Sequence, residues 1–378
     1  MPTPSLLIVP ARFKTGKLYS QLPTSGAGDF TVTRNTAARR VNSAGLLESV
    51  ASGIPRLDYY TSGGVTGCPA LLVEPAAINL ALHSRDLTNA VWSGTNVTTA
   101  KNAVGADGVA SGATTLTATA ASGTVLQSSS HGQFPRVFSA YVRRVTGTGT
   151  IQMTVNGGTN WDTVTISSAY TQVASAIRSV ASGTVGFRMA VSGDVIEVDF
   201  TQYEATNVTS PIATTAASGS RSADVISVSG AVSGSIGQTE GTIYMEVDVR
   251  NLARETYLIR IDEGAAANVL SLRKLDTNQI RTTITAPTTS GTLNISSAAF
   301  TAGIVKVAFA YKSGEIALSV NGATALTANG TFSFGASLNR ITLGSNAIAS
   351  SEFNDRIRAV ALYTTRLTNA ELATLTTP

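Results

Sequence analysis

The chain is poor in the side chains that carry chemistry. Of its 378 residues only 13% are charged, against roughly 25% in a typical soluble domain, and there are two histidines and a single cysteine. One cysteine, Cys68, excludes an internal disulfide framework. The histidines, His83 and His131, lie far apart, and neither has a ligand-type neighbour three to five residues on, which argues against a zinc site. No apolar run approaches the roughly 18 residues of a membrane span. The longest near the start, Leu6–Val9, is also too short for the core of a signal peptide. A P-loop, a dinucleotide fingerprint and a nucleophile elbow are absent. Gly147-Thr148-Gly149 falls between strand-like runs and opens no helix, so it reads as turn chemistry. Disorder is excluded as well. Hydrophobic residues make up 43% and the mean hydropathy is +0.16, whereas a disordered chain combines low hydrophobicity with high net charge.

What the chain does have is Thr, Ser, Ala and 34 glycines. Threonine, valine and isoleucine are stiff at χ1 and suit a pleated surface, while Gly and Asn mark the turns. At roughly 100–200 residues per domain, the length implies two or three domains. Residues 1–78 hold seven of the 11 prolines and read as an extended segment with two short strand candidates, Asp29–Arg34 and Ala38–Asn42. Such a segment buries little surface of its own and is expected to be ordered only against a partner or a second copy.

Residues 79–213 change in texture. Short strand-like runs recur, among them Phe138–Val142, Ile151–Val155 and Val195–Phe200, with Asn156-Gly157 as a hairpin signal. The small, polar stretch Ala213–Ser222 reads as a linker. Residues 214–378 hold a second series, including Thr242–Val249, Val305–Tyr311 and Ile357–Tyr363, with Asn321-Gly322 as another hairpin turn. Thr368-Asn369-Ala370-Glu371 before Leu372 matches a capping box and marks the one expected helix, about two turns long. The predicted fold is all-β: an extended N-terminal attachment segment followed by two β-sandwich, jelly-roll domains.

Charge is unevenly placed. Residues 1–60 carry seven basic against three acidic residues, and that excess of four equals the net charge of the whole chain. Arg12, Lys14, Lys17, Arg34, Arg39 and Arg40 either dock the segment on an acidic partner surface or are ordinary solvated residues. They are scattered, with no aromatic interleaving, which argues against nucleic-acid binding.

Two pairs of carboxylates sit at i and i+2 on predicted strands, Glu246 with Asp248 and Glu197 with Asp199. A retaining glycosidase needs two carboxyls roughly 5 Å apart, one held protonated. Asn251 and Gln202 stand where a third acid would complete a Glu-x-Asp-x-x-Glu pattern, so both pairs read as polar outer faces of strands. Sugar sites combine an aromatic face with amides or carboxylates. Trp161 and Asn160, at the end of the glycine-rich hairpin, with Tyr170 and Tyr203, are the glycan-binding candidates. Trp92 reads as core, His131 as a loop residue and Cys68 as a small buried apolar residue.

Residues 28–82 include Gly28-Asp29-Phe30-Thr31-Val32-Thr33-Arg34, Arg40-Val41-Asn42-Ser43-Ala44-Gly45-Leu46-Leu47-Glu48, Pro55-Arg56-Leu57-Asp58-Tyr59 and Cys68-Pro69-Ala70-Leu71-Leu72-Val73-Glu74-Pro75. This stretch resembles the N-terminal segment of tailed-bacteriophage fibre and head-spike proteins. His83–Trp92 resembles the opening of a galactose-binding-like carbohydrate module. Gly241–Tyr244, Ser319–Gly322 and Arg358–Tyr363 with Leu367–Glu371 resemble a concanavalin A-like, laminin G-type sandwich.

The resemblance implies a virion surface appendage, a tail fibre or head fibre, assembled in the host cytoplasm and adhesive rather than enzymatic. Its expected partners are capsid, portal or tail proteins, further copies of itself, a trimer foremost, and bacterial surface polysaccharide. No nucleic acid and no membrane insertion are expected. Laminin G-type folds hold calcium at one rim, so Asp262, Glu263 and Asp355 are the candidate ligands, with no other cofactor expected. The alternatives are a capsule depolymerase and a purely architectural decoration protein that binds no sugar.

Overall fold

The computed structural model describes all residues but 63, 64, 253 and 347–350, and side chains outside 61–66. The described residues are nearly all β, in two compact units. One short 3-10 turn, Ala231–Ser235, and one α-helix, Asn369–Leu375, are the helical elements among them. No helix among the described residues is long and apolar enough to cross a membrane.

The first unit comprises residues 1–36, 50–75 and 222–378. It is a sandwich of two antiparallel eight-stranded sheets. One sheet runs Leu326–Ala328, Glu315–Val320, Gly303–Lys312, Glu240–Val249, Asp355–Tyr363, Ala70–Val73, Leu57–Asp58, with Leu6–Ile8 also paired to Asp355–Tyr363. The other runs Phe13–Lys14, Lys17–Leu18, Phe30–Thr33, Val225–Ser229, Arg340–Leu343, Thr256–Asp262, Val269–Lys274, Ile280–Thr285. Alternation decides which side chains meet. Ile243, Met245, Val247 and Val249 point inward and join Ile259, Ile261, Leu270, Leu272 and Leu343 in one apolar core.

The boundaries differ from the sequence expectation of a free segment over 1–78. Leu6 pairs with Leu362 and Ile8 with Val360, and Val32 pairs with Ile226. Leu6, Ile8, Leu18, Phe30, Leu71 and Val73 are fully buried in the core. Fully burying each such side chain stabilises the fold by roughly 1.5–3 kcal/mol. The segment is therefore ordered against its own chain, because its short strands complete both sheets.

The second unit comprises residues 37–49 and 76–221, so the division falls at 221 rather than at 213. Its main sheet has nine strands, organised around Gly123–Thr146. The sequence marks two short strands there, Thr124–Leu126 and Phe138–Val142, with Gln127–Val137 between them. The backbone instead stays extended through that run. Ser128–Ser130 and Phe134–Arg136 pair with Arg178–Thr184, and a register shift between Ser130 and Phe134 marks the change of direction. Beyond it, Arg136–Thr146 pairs with Val195–Ala205. The strand thus wraps a core of Trp92, Leu116, Phe138, Met153, Val185 and Phe187. Hairpin Ala38–Val50 contributes Leu47, which packs with Ala106 and Phe200.

Local signals are seen directly. Thr368 caps the helix: its hydroxyl accepts from Glu371 N–H, and the Glu371 carboxylate accepts from Thr368 N–H. Asn321 and Gly322 both have positive φ, 50° and 75°, as the turn between Glu315–Val320 and Leu326–Ala328 requires.

Candidate functional site

In the second unit, Ile151–Thr154 pairs with Asp162–Val164 on one side and with Arg178–Met189 on the other. Ile151 and Met153 are buried, so Gln152 points outward, opposite Thr163 and Arg188. The connecting loop carries Asn156, Gly157, Gly158, Asn160 and Trp161. Gly157 and Gly158 have φ of 69° and 88°. A Cβ on Gly158 would lie 2.9 Å from the indole, so only glycine lets Trp161 seat here. The Arg188 guanidinium stacks over the ring at 4.7 Å from its centroid and is held by Gln152 Oε1. Asn160 is exposed, its Oδ1 accepting from Asn156 Nδ2.

Three donors on this surface, Trp161 Nε1, Asn160 Nδ2 and Arg188 Nη1, have no acceptor among the described residues. Next to them, Arg178 claims Asp162 with both terminal nitrogens and holds its carboxyl below the usual range. Trp161 and Asn160 therefore form a donor-rich patch on the loop that joins Ile151–Thr154 to Asp162–Val164.

The other two glycan candidates do not join it. Tyr203 is fully buried, and its hydroxyl contacts His131 Nε2 at 2.7 Å. Burial pushes this phenol up to about 12, with Arg136 acting in the opposite sense. That is a correction: Tyr203 faces the core because a register shift between Asp199 and Gln202 breaks the alternation of Val195–Ala205, and His131 is a strand residue that supports it. Tyr170 is half-buried under Arg143 and donates to Val104 O at 3.0 Å. Burial, then the Glu197 carboxylate, raises its phenol, so it packs as a neutral prop. Trp92 is core, with Nε1 donating to Leu82 O. Cys68 is exposed rather than buried.

The paired carboxylates meet guanidinium groups. Glu246 binds Arg358, Asp248 binds Arg250, Glu197 binds Arg143 and Asp199 binds Arg85. Asp199 is not on an outer face. It is wholly buried, and burial outweighs Arg85 to raise its carboxyl. Beside Glu246, Arg358 Nη1 donates to the Tyr60 hydroxyl, and Arg250 and Arg356 stack on the Tyr60 ring at 5.1 and 4.6 Å. The sequence reading missed Tyr60. Its only signal is local, Asp58 two residues earlier, which binds Arg356.

The calcium candidates do not fit an ion. Arg340 clasps Asp262 with Nε and Nη2, Arg260 binds it as well, and Gly264 N–H donates to it. Burial opposes ionisation of Asp262, yet these arginines hold its carboxyl low. Glu263 caps Asn268 N–H. Asp355 lies in the opposite sheet, 3% exposed, and burial pushes it up to about 7. Among the described residues no three acids, histidines or cysteines gather as a metal site.

The basic set is split. Arg34 is 2% exposed: Nη1 binds Asp224 at 2.9 Å, and Nη2 donates to Ala51 O. Arg56 binds the same Asp224, and Glu74. Arg34 is thus an internal strut and not an attachment residue. Arg39 lies over Phe200 at 4.4 Å, Arg40 pairs with Glu48, and Lys17 lies 3.7 Å from Asp29. Arg12 and Lys14 remain exposed, on a hairpin that turns at Gly16.

Among curated proteins none matches the chain. Solved structures that resemble it include the CBM40 module of a Ruminococcus gnavus IT-sialidase (16% identity, 37% of this chain and 84% of that one, TM-score 0.32). Domain 4 of a GH43 extracellular arabinanase from Geobacillus stearothermophilus, in complex with arabinotriose, is also similar (14% identity, 41% and 73%, TM-score 0.32). So is a Trypanosoma rangeli sialidase (16% identity, 40% and 25%, TM-score 0.32), of which this chain spans about a quarter. Residues 218–373, almost all of them in the first unit, match the family model of the concanavalin A-like lectin/glucanases superfamily, laminin G type.

Proposed function

We propose that this protein is an adhesive structural module that binds sugar without cleaving it, carried on the surface of a tailed-bacteriophage virion. The observation that carries the binding reading is the Trp161 surface: an indole fixed between Gly158 and Arg188, with three donors unclaimed among the described residues. Sugar hydroxyl oxygens are the natural acceptors for such donors, and the indole and guanidinium offer apolar faces to ring CH groups. The lectin-like fold of residues 218–373 supports the same class of function.

Adhesion is favoured over hydrolysis by the state of the carboxylates. Glycoside cleavage uses one carboxyl kept protonated beside a second. Here each member of the two strand pairs is tied to an arginine, and Asp199, whose carboxyl burial raises, is wholly enclosed and closed to a substrate. The virion assignment rests on the likeness of residues 28–82 to fibre and head-spike segments. The exposed hairpin residues Arg12 and Lys14 are the reduced attachment set for a capsid, portal or tail protein. A homotrimer would multiply weak sites into useful avidity.

The test is to incubate the full chain with host surface polysaccharide and follow both co-sedimentation and polymer size. Binding with unchanged size is expected. Shortening of the polymer would replace adhesion by depolymerase action, and absence of binding would leave the architectural alternative.

A further inference from the structure

Away from the Trp161 surface, the second unit holds a hollow of about 330 Å³ lined by His83, Arg85, Asp86, Ala213, Thr214 and Thr215. Its walls are stapled together. His83 N–H donates to Thr215 O, Thr214 N–H donates to Ser84 Oγ, and Thr201 N–H donates to Ser84 O. One lining residue is strained, His83 with φ +47°, and so is Phe200, which packs under the lining Arg85 and has φ +46°, rare for an aromatic side chain. Strain of this kind persists only where the surroundings over-determine it, and it gathers at ligand sites.

Arg85 is the most constrained of the lining groups. Its Nε and Nη2 bind Asp199, Nη2 also binds Asp107, and its guanidinium lies 4.0 Å from the Phe200 centroid. Two glycines make room for it. A Cβ on Gly105 would lie 2.6 Å from Nη2, and one on Gly112 2.8 Å. Only Nη1 is left without an acceptor among the described residues. The hollow also offers one unclaimed acceptor. Asp86 Oδ1 accepts from Thr88, while Oδ2 has no donor among the described residues. The His83 ring and the Thr215 hydroxyl are equally unclaimed.

We propose that this hollow is a second binding site, for a single uncharged sugar residue, held by Arg85 Nη1 donating to one hydroxyl and Asp86 Oδ2 accepting from its neighbour. The volume lies at the low end of the roughly 300–1,000 Å³ of small-molecule sites, which suits one ring and not a chain. Charge points the same way. Arg85, Arg39 and Lys101 are matched by Asp86, Asp107 and Asp199, so no net charge selects an ionic ligand. The rigid seat of Arg85 means that binding orders little that is not already fixed. The inference takes its ligand class from the sugar-binding reading but uses none of the Trp161 residues.

The test is amide NMR of the full chain with methyl glycosides of glucose, galactose and rhamnose, and with glucuronic acid. Shifts at His83, Asp86 and Thr215 are expected with at least one uncharged glycoside, and they should persist in Trp161→Ala. Asp86→Asn keeps the acceptor used by Thr88 but turns the free acceptor into a donor, and Thr215→Val removes a hydroxyl with little change in shape. Each should weaken binding about tenfold, the scale of one lost hydrogen bond to a site group. Unchanged affinity in both variants, or shifts with glucuronic acid alone, would overturn the proposal. Shifts confined to the Trp161 surface would overturn the second site and leave the sugar-binding reading standing. No shift anywhere would remove both.

Discussion

Burial pushes the Asp355 carboxyl up to about 7, from an ordinary value of 3.8. Asn251 N–H donates to it at 3.0 Å, and Arg356, Asp248 and the buried Lys274 are the charges nearest in effect. The folded chain therefore keeps a proton that the unfolded chain loses above about pH 4, and stability falls as pH rises through the window up to about 7. In urea unfolding, Asp355→Asn should lack this slope. Its advantage over the parent should grow by on the order of 2 kcal/mol between about pH 5 and pH 8. Equal slopes would mean that Asp355 ionises freely in the folded chain. Asp224 presents the opposite case, a buried carboxylate shared by Arg34 and Arg56. Burial disfavours the Arg56 charge, but Asp224 and Glu74 more than offset it. Removing one partner of a buried ion pair costs roughly 3–5 kcal/mol, so Asp224→Ala should lower the unfolding free energy by that order in denaturant titration. These pairings were illegible in the sequence. Arg34 and Asp224 lie 190 residues apart, and nothing local distinguishes Arg34 from exposed Arg12.

At the scale of elements, legibility followed periodicity. Thr242–Val249 alternates strictly and forms the central strand of its sheet. The capping box at Thr368 placed the helix because both of its hydrogen bonds are local. Of the short strands in residues 1–75, Phe30–Thr33 and Ala38–Val41 lie where the sequence marks strand candidates, while Leu6–Ile8, Lys17–Leu18 and Ala70–Val73, two to four residues long and set among prolines, are too short for a period to register. The same contrast holds within the candidate site. Trp161 and Asn160 were legible because the glycine-rich hairpin announces an exposed turn. Tyr203 was misplaced, since its inward orientation depends on the bulged pairing of Val195–Ala205 with Gly123–Thr146. The hairpin also yields a prediction. Gly158→Ala puts a Cβ against the indole at a left-handed φ of 88°. It should cost roughly 1–2 kcal/mol in thermal unfolding and weaken sugar binding by displacing Trp161. An unperturbed Trp161 environment in the variant, read by tryptophan fluorescence, would contradict the packing described here.

At the scale of the whole molecule, the chain crosses between its two units four times, so neither is a simple consecutive segment. Deleting residues 1–36 would remove Leu6–Ile8 from one sheet of the first unit and Phe30–Thr33 from the other. The shortened chain should lose cooperative unfolding of that unit and bind a hydrophobic dye. A free attachment segment, by contrast, could be removed with no change in the melting transition. The low charge of the chain also gains meaning at this scale. Few carboxylates are available, and those on the candidate catalytic strands are matched by arginines, the observation on which the proposed adhesive role leans. The most direct test of that account is the dissociation constant of the full chain and of Trp161→Ala for purified host surface polysaccharide, measured by calorimetry alongside the melting temperature of each. The account predicts measurable binding by the parent and at least about tenfold weaker binding by the variant at a closely similar melting temperature. Equal affinity in the two, or no binding by the parent, would contradict it.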